Sequence, residues 1–261
     1  MPRQSFDLSG RTALVTGAGQ GVGAEIARTL AAHGARVAIN DFVRDRAEGV
    51  ATAIGSDGGE ALAVQADVGD RDSVAGIVSR IEESFGSIDI LVNNAGNAGP
   101  DGEMPRVDFW KTDRAEWDRY FHVNLFGVMN CAHAFTRGMV ARGWGRVITI
   151  VSDAGRTGEQ GHEAYSAAKA GAAGFSRALA RSLGRYGVTV NSISLSNIAR
   201  PDAAPTTEQQ VLLKQMLSRY IVRRQGRPND IAPLVLLLAS DAGEWITGQN
   251  YPVNGGFSLA L

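Results

Sequence analysis

The sequence predicts an α/β domain built on a doubly wound, seven-stranded, mostly parallel sheet with helices on both faces. Three observations predict it. Short apolar runs rich in Val and Ile alternate with longer stretches of helical periodicity, the rhythm of βαβ units. A glycine-rich turn follows the first of these runs and opens the first helical stretch, the place where such sheets cradle phosphate. Finally, the chain has 261 residues, enough for one large core, and no repeat or low-complexity linker divides it.

The elements follow in order. Residues 12–16 read as the first strand, and 21–33 as a helix with Val22, Ile26, Ala27 and Leu30 on one side. A second strand at 35–40 precedes a helix at 44–54, and a third at 61–65 precedes a helix at 70–85. Residues 88–92 make the fourth strand. A long helix from about 114 to 141 leads to the fifth, 146–151, and a small-residue helix covers 163–186. The sixth strand is 188–193 and a short seventh is 251–253. The stretch Arg200-Pro201-Asp202-Ala203-Ala204-Pro205 is the clearest loop. It lies beyond the C-terminal end of a strand, where ligands of such sheets bind.

Composition excludes several classes. With 26 basic and 27 acidic residues the formal net charge is −1, which gives no electrostatic case for nucleic acid or an anionic membrane. No apolar run approaches the ~20 residues of a membrane span, and the first residues carry no apolar signal core. A cytoplasmic protein is the expectation. The lone Cys131 allows no disulfide framework and reads as a buried thiol. His122 and His133 lie eleven positions apart on one helix, about 16 Å at ~1.5 Å per residue. They read as packing or surface residues, so no metal site is expected.

Two motifs carry chemistry. The first, Thr16-Gly17-Ala18-Gly19-Gln20-Gly21-Val22-Gly23, gives a tight turn whose backbone N–H groups can meet a pyrophosphate. Strand two ends in Asn40-Asp41. A carboxylate there accepts both ribose hydroxyls of NAD and repels the 2′-phosphate of NADP. Phe42, not a basic residue, follows it, although Arg44 and Arg46 are close. NAD is favoured over NADP. The second motif is Ser152 at the end of an apolar strand, then Tyr165 and Lys169 four residues apart. Positions i and i+4 share a helix face, so phenol and ammonium enter one space. A tyrosine titrates near pH ~10, and a fixed cation favours its anion, which makes it a proton donor and acceptor at working pH.

In these residues the chain resembles the short-chain dehydrogenase/reductase family, in its branch of roughly 250-residue single-domain Rossmann-fold enzymes. The similarity runs over nearly the whole sequence. It is carried by the glycine turn, Asp67-Val68, Asn93-Asn94-Ala95-Gly96, Asn124, Ser152, Tyr165-x3-Lys169 and Thr247-Gly248-Gln249 with Val253-Asn254-Gly255-Gly256. The resemblance implies an NAD(H)-dependent oxidoreductase interconverting a secondary alcohol and a ketone. Tyr165 would be the general acid/base, Lys169 would hold the nicotinamide ribose, and Ser152 would bond the substrate oxygen. Asn124 would hold a water linking Lys169 to solvent. Gly17, Gln20, Gly21, Val22 and Gly23 would line the pyrophosphate, with Asp41 and Phe42 at the adenosine ribose. Asp67 and Val68 would flank the adenine, while Asn94, Ala95 and Gly96 pass the ribose and nicotinamide. A homotetramer is the implied assembly.

The chain departs from the family after strand six. In Asn191–Arg200, Leu195, Ser196 and Arg200 stand where the family has Pro, Gly and Thr. The backbone of Ile198 is still expected to meet the nicotinamide carboxamide, and Arg200 is either an anion contact or a solvated residue. The connection from Gly96 to Trp117 is longer than usual; Met104, Phe109 and Trp110 either roof an apolar pocket or pack elsewhere. One domain over 1–261 is expected, with a substrate-covering segment at about 197–225 that includes an amphipathic stretch at 207–219. The expected substrate is hydrophobic or an acyl thioester: a 3-oxoacyl/3-hydroxyacyl group, or an alicyclic or steroid alcohol. The alternatives are a sugar or polyol dehydrogenase of the same family and a catalytically silent nucleotide-binding scaffold.

Overall fold

The computed structural model describes residues 6–96, 107–199 and 207–259. Seven strands, β1 (Thr12–Val15), β2 (Arg36–Asp41), β3 (Ala61–Gln65), β4 (Ile90–Asn93), β5 (Gly145–Ser152), β6 (Val188–Leu195) and β7 (Asn250–Val253), form one sheet in the order β3-β2-β1-β4-β5-β6-β7. Every pairing is parallel. The expected mostly parallel sheet is therefore wholly parallel. After β3 at one edge the chain returns to the middle and lays β4 beside β1. That reversal opens a crevice above the C-terminal ends of β1 and β4.

Alternation along each strand divides the core. Val15, Ile39, Ile90 and Val92 point to one face, where they meet Ile26 and Leu30 of α1 (Gly21–Ala32). Leu14, Ala38 and Leu91 point to the other and meet Ile77 and Ile81 of α3 (Arg71–Phe85). Both sets are buried. At about 1.5–3 kcal/mol per fully buried Leu or Ile side chain, this two-sided burial holds the crevice rigid. Helix α2 (Arg44–Ser56) adds Val50 and Ile54 to the first face.

The long helix expected over 114–141 is present, with an interruption. α4 (Arg114–Phe121) and α5 (Val128–Arg142) are joined by a π-helical segment, His122–Gly127. Asn124 lies inside it. Its side-chain Nδ2 donates to the carbonyl oxygen of Tyr120 at 2.8 Å, the acceptor that its own backbone N–H would use in an α-helix. Such bulges commonly mark functional positions.

β5 runs into the short α6 (Ala154–Thr157), and α7 (Glu163–Leu183) follows, tightening to a 3₁₀ turn at 184–186. The amphipathic stretch expected at 207–219 is α8 (Thr207–Leu217). Helix α9 (Pro228–Ala239), not expected from the sequence pattern, packs against α1 on the first face. Its residues Ile231, Ala232, Val235, Leu236 and Leu238 are buried. A helix apolar nearly all round has no polar stripe to mark its period. Pro228 in its first turn, with the carboxylate of Asp230 accepting the backbone N–H of Arg227 at 2.7 Å, supplies the start signal.

Candidate active site

A cleft of about 870 Å³ runs along the C-terminal edge of the sheet, from the β1–α1 turn to Ser152 and Tyr165. The volume lies near the top of the ~300–1,000 Å³ range of ligand pockets, and its length suits an extended ligand.

At one end the glycine turn leaves no room for a side chain at Gly17, Gly19 or Gly23. Gly17 has φ +60°, and a Cβ there would lie 2.8 Å from the Cα of Ala95. A Cβ on Gly19 would lie 2.7 Å from Oδ2 of Asp41. Thr16 and Asn94 brace the turn: Thr16 Oγ1 accepts the N–H groups of Asn94 and Ala95, each at 3.0 Å, while Asn94 Nδ2 donates to the carbonyls of Thr16 and Gly17 at 2.9 and 3.0 Å. Helix α1 begins there with no acidic residue in its first turn, and the Gln20 side chain makes no capping bond. Its positive end is left open to an anion. Gln20, Gly21, Val22 and Gly23 line the cleft at this end.

Asp41, buried at the end of β2, accepts the N–H of Gly19 through Oδ2 and of Val43 through Oδ1, both at 3.0 Å. Each oxygen keeps lone-pair capacity for a further donor. Phe42 and Arg46 line the same end. Asp67 and Val68 follow. Asp67 Oδ1 accepts the N–H of Gly69 at 2.8 Å, and Oδ2 lies 3.0 Å from Nε2 of His122. His122, read from the sequence as packing or surface, is therefore a wall of the cleft. Its partner is 55 residues away in sequence, so no local signal marks it.

At the other end, Lys169 is buried, and its Nζ donates to the carbonyl oxygen of Ile150 at 3.0 Å. Burial pushes its ammonium down to about 8, because the charged form loses its hydration. Nζ lies 5.9 Å from the ring centroid of Tyr165, and both side chains line the cleft. The Tyr165 ring is edged by Tyr120 at 5.7 Å and His162 at 6.2 Å between centroids. Gly96 is the close-approach point: a Cβ there would lie 3.0 Å from both Asn124 Oδ1 and Lys169 Nζ. Ser152 lines the cleft from the end of β5, and its Oγ accepts the N–H of Ala154 at 3.1 Å. That bond leaves the hydroxyl hydrogen available as a donor.

Two expectations change here. Ile198 does not line the large cleft; it faces a smaller adjoining cavity of about 170 Å³, and Leu195 and Ser196 line the cleft instead. The altered loop is held by Tyr220, whose hydroxyl bonds Ser196 Oγ and accepts the N–H of Asn197 at 3.2 Å. The apolar roof is not formed by Phe109 and Trp110: Phe109 stacks on Trp117 at 5.3 Å between centroids, and Trp110 is 80% exposed. Met104 and Arg200 lie outside the described residues. Among the described residues no cluster of His, Cys, Asp and Glu is arranged to hold a metal, and no helix is long and apolar enough to cross a membrane.

An anion-ready helix start, a carboxylate at the end of β2 and a buried lysine beside a tyrosine fit a nicotinamide dinucleotide laid across the sheet, and define an oxidoreductase of the dinucleotide-binding class. A family model described as enoyl-(acyl carrier protein) reductase matches residues 17–258. The (2S)-[(R)-hydroxy(phenyl)methyl]succinyl-CoA dehydrogenase subunit BbsD of Thauera aromatica is 39% identical over 255 residues, 97% of this chain and 98% of that protein. The chain belongs to the short-chain dehydrogenase/reductase family. Among solved structures, a 7α-hydroxysteroid dehydrogenase complexed with NADH and 7-oxo glycochenodeoxycholic acid superposes with TM-score 0.88 and 33% identity, over 97% of this chain and 96% of that one. A gluconate 5-dehydrogenase from Burkholderia cenocepacia J2315 in complex with NADP and tartrate gives 0.89 and 30%, over 98% of each.

Proposed function

We propose that the protein is an NAD(H)-dependent dehydrogenase/reductase of a hydrophobic or acyl-thioester substrate, with Tyr165 as its general acid/base. The observation that carries the reading is that Ser152, Tyr165 and Lys169 line one cleft with the glycine turn and Asp41. The bound dinucleotide supplies the hydride; the chain supplies placement and proton control. Ser152, its acceptor side engaged by Ala154, donates to the carbonyl oxygen. Tyr165 gives that oxygen its proton in reduction and removes it in oxidation. Lys169, buried beside the ring, stabilises the phenolate and holds the nicotinamide ribose. Asn124 closes the back of the site beside Lys169 and Gly96 and holds a water that links the lysine to solvent. Gly17, Gln20, Gly21, Val22 and Gly23 bind the pyrophosphate, Asp41 and Phe42 the adenosine ribose, and Asp67, Val68, Asn94, Ala95 and Gly96 the adenine-to-nicotinamide path.

The substrate class is supported by the acyl-CoA and steroid names of the relatives. A sugar-acid substrate is the second reading, favoured by the gluconate dehydrogenase likeness. The chain acts as one domain over 1–261, with about 197–225 as its substrate cover, in a cytoplasmic homotetramer.

The preference for NAD rests on Asp41. A 2′-phosphate set against its buried carboxylate meets like charge, which costs several kcal/mol, partly offset by Arg46. We expect kcat/KM to favour NADH over NADPH by about 100-fold and Asp41→Ala to remove most of that ratio. Initial rates with both cofactors check this. Equal or better use of NADPH by the unaltered protein would overturn it.

A further inference from the structure

Next to Ser152 is a partly buried ionic knot, centred on the buried Asp153, that the proposed chemistry does not use. Asp153 is 2% exposed. Its Oδ1 accepts Nη1 of Arg156 at 2.9 Å, and its Oδ2 accepts Nδ2 of Asn254 at 2.6 Å and Oγ of Ser258 at 3.0 Å. Arg156 reaches the same segment, donating to Ser258 Oγ at 2.8 Å and to the carbonyl of Leu259 at 3.0 Å. The chain beyond β7 can fold back onto this carboxylate because Gly255 and Gly256 adopt φ of +62° and +76°, a turn that side chains disfavour. Neither Asp153, Arg156, Asn254 nor Ser258 lines the large cleft.

The knot is expensive to bury unless it fixes something. A desolvated carboxylate is tolerated only when its lone pairs are engaged, and here each oxygen is bonded. What it fixes is the backbone of Asp153. The N–H of Asp153 donates to the carbonyl of Leu195 at 2.8 Å, extending the β5–β6 ladder by one residue, while its own carbonyl starts α6 by accepting Arg156 N and Thr157 N at 2.8 Å. This holds the peptide between Asp153 and Ala154, and so aims the N–H of Ala154 at Ser152 Oγ. Swinging that peptide would release the acceptor side of the hydroxyl and let its hydrogen point away from the cleft.

We infer that Asp153, clamped by Arg156, Asn254 and Ser258, is a positioning residue that sets Ser152 as a hydrogen-bond donor to the substrate oxygen. The segment after β7 thereby completes the active site from behind. The inference rests on the role proposed for Ser152. It deepens that reading by adding residues 101–105 positions away in sequence from Asp153.

The test is a double-mutant cycle of Asp153→Asn with Ser152→Ala, read as kcat, KM and NADH affinity. Asp153→Asn keeps the shape, removes the charge opposite Arg156 and sets an N–H donor where an oxygen now accepts. We expect kcat to fall about 10- to 100-fold, the scale of a misplaced catalytic group, with NADH affinity unchanged within about twofold. In the Ser152→Ala background the same change should do nothing further to kcat, because residues acting through one group are non-additive. Arg156→Lys, which keeps the charge and loses the fork, is run through the same cycle and decides the matter if Asp153→Asn does not fold. A knot that merely stabilises the fold would lower Tm and leave kcat of the folded fraction intact, or lower kcat equally in both backgrounds; either result overturns the inference. An unimpaired Ser152→Ala would instead strike at the reading of the site itself.

Discussion

Replacing Tyr165 by Phe is expected to lower turnover by about 10²–10⁴-fold, the contribution of a positioned general acid/base, while NADH still binds. The ring survives, so its packing against Tyr120 and His162 survives as well, and the glycine turn and Asp41 lie at the other end of the cleft. The hydroxyl and its transferable proton are lost. Turnover is followed by the reduced-nicotinamide absorbance, binding by its fluorescence. A variant as active as the unaltered protein would remove Tyr165 from the chemistry, whereas a variant that loses NADH would show that the phenol serves binding.

Lys169→Met is the second large effect, and it has two opposite signs. Activity should fall by about 10²-fold or more, since the phenolate loses its nearby cation. Stability should move the other way only below about pH 8, with a distinctive pH dependence. Burial lowers the lysine from 10.5 to about 8, a penalty on the order of 3 kcal/mol to the folded state when both states are protonated. Between about 8 and 10.5 the unfolded chain binds more protons than the folded one, so the unaltered protein gains stability as pH rises. Below about 8 the penalty is carried in full; above 10.5 it is gone. Methionine carries none at any pH and leaves the carbonyl of Ile150 without its donor, a cost of about 1–3 kcal/mol that does not titrate. Relative to Lys169→Met, the unaltered protein should therefore be least stable below pH 8 and recover toward pH 10.5. Denaturant unfolding of both proteins across pH 7–10.5 reads the difference. A flat difference would mean that the ammonium is not desolvated.

Sequence patterns exposed the sheet because each strand is a short apolar run and each turn after it carries small or polar residues. The glycine turn, Asp41, Ser152, Tyr165 and Lys169 were legible for a related reason: their spacing is local, and an i to i+4 pair or a strand-end carboxylate implies its own geometry. What was not legible depends on distant partners. His122 becomes a cleft residue only because β3 delivers Asp67 beside it. The π segment arises from one side chain, Asn124, taking the carbonyl of Tyr120, which hydrophobic periodicity does not register. Helix α9 has too few polar residues to show a face. The anchor of Asp153 lies at the far end of the chain. Phe109 and Trp110 mislead in the opposite direction: apolar residues in a long connection suggested a roof, yet Phe109 has an aromatic neighbour, Trp117, nearer at hand.

The most direct measurement is the absorbance of reduced nicotinamide when the protein is mixed with NADH or NADPH and a panel of 3-oxoacyl thioesters, alicyclic ketones, steroid ketones and keto sugar acids. The expected result is loss of the band with at least one hydrophobic or thioester ketone, faster with NADH than with NADPH. A protein that binds the dinucleotide yet consumes none of it against any carbonyl compound would contradict proton transfer by Tyr165 and leave a nucleotide-binding scaffold in its place.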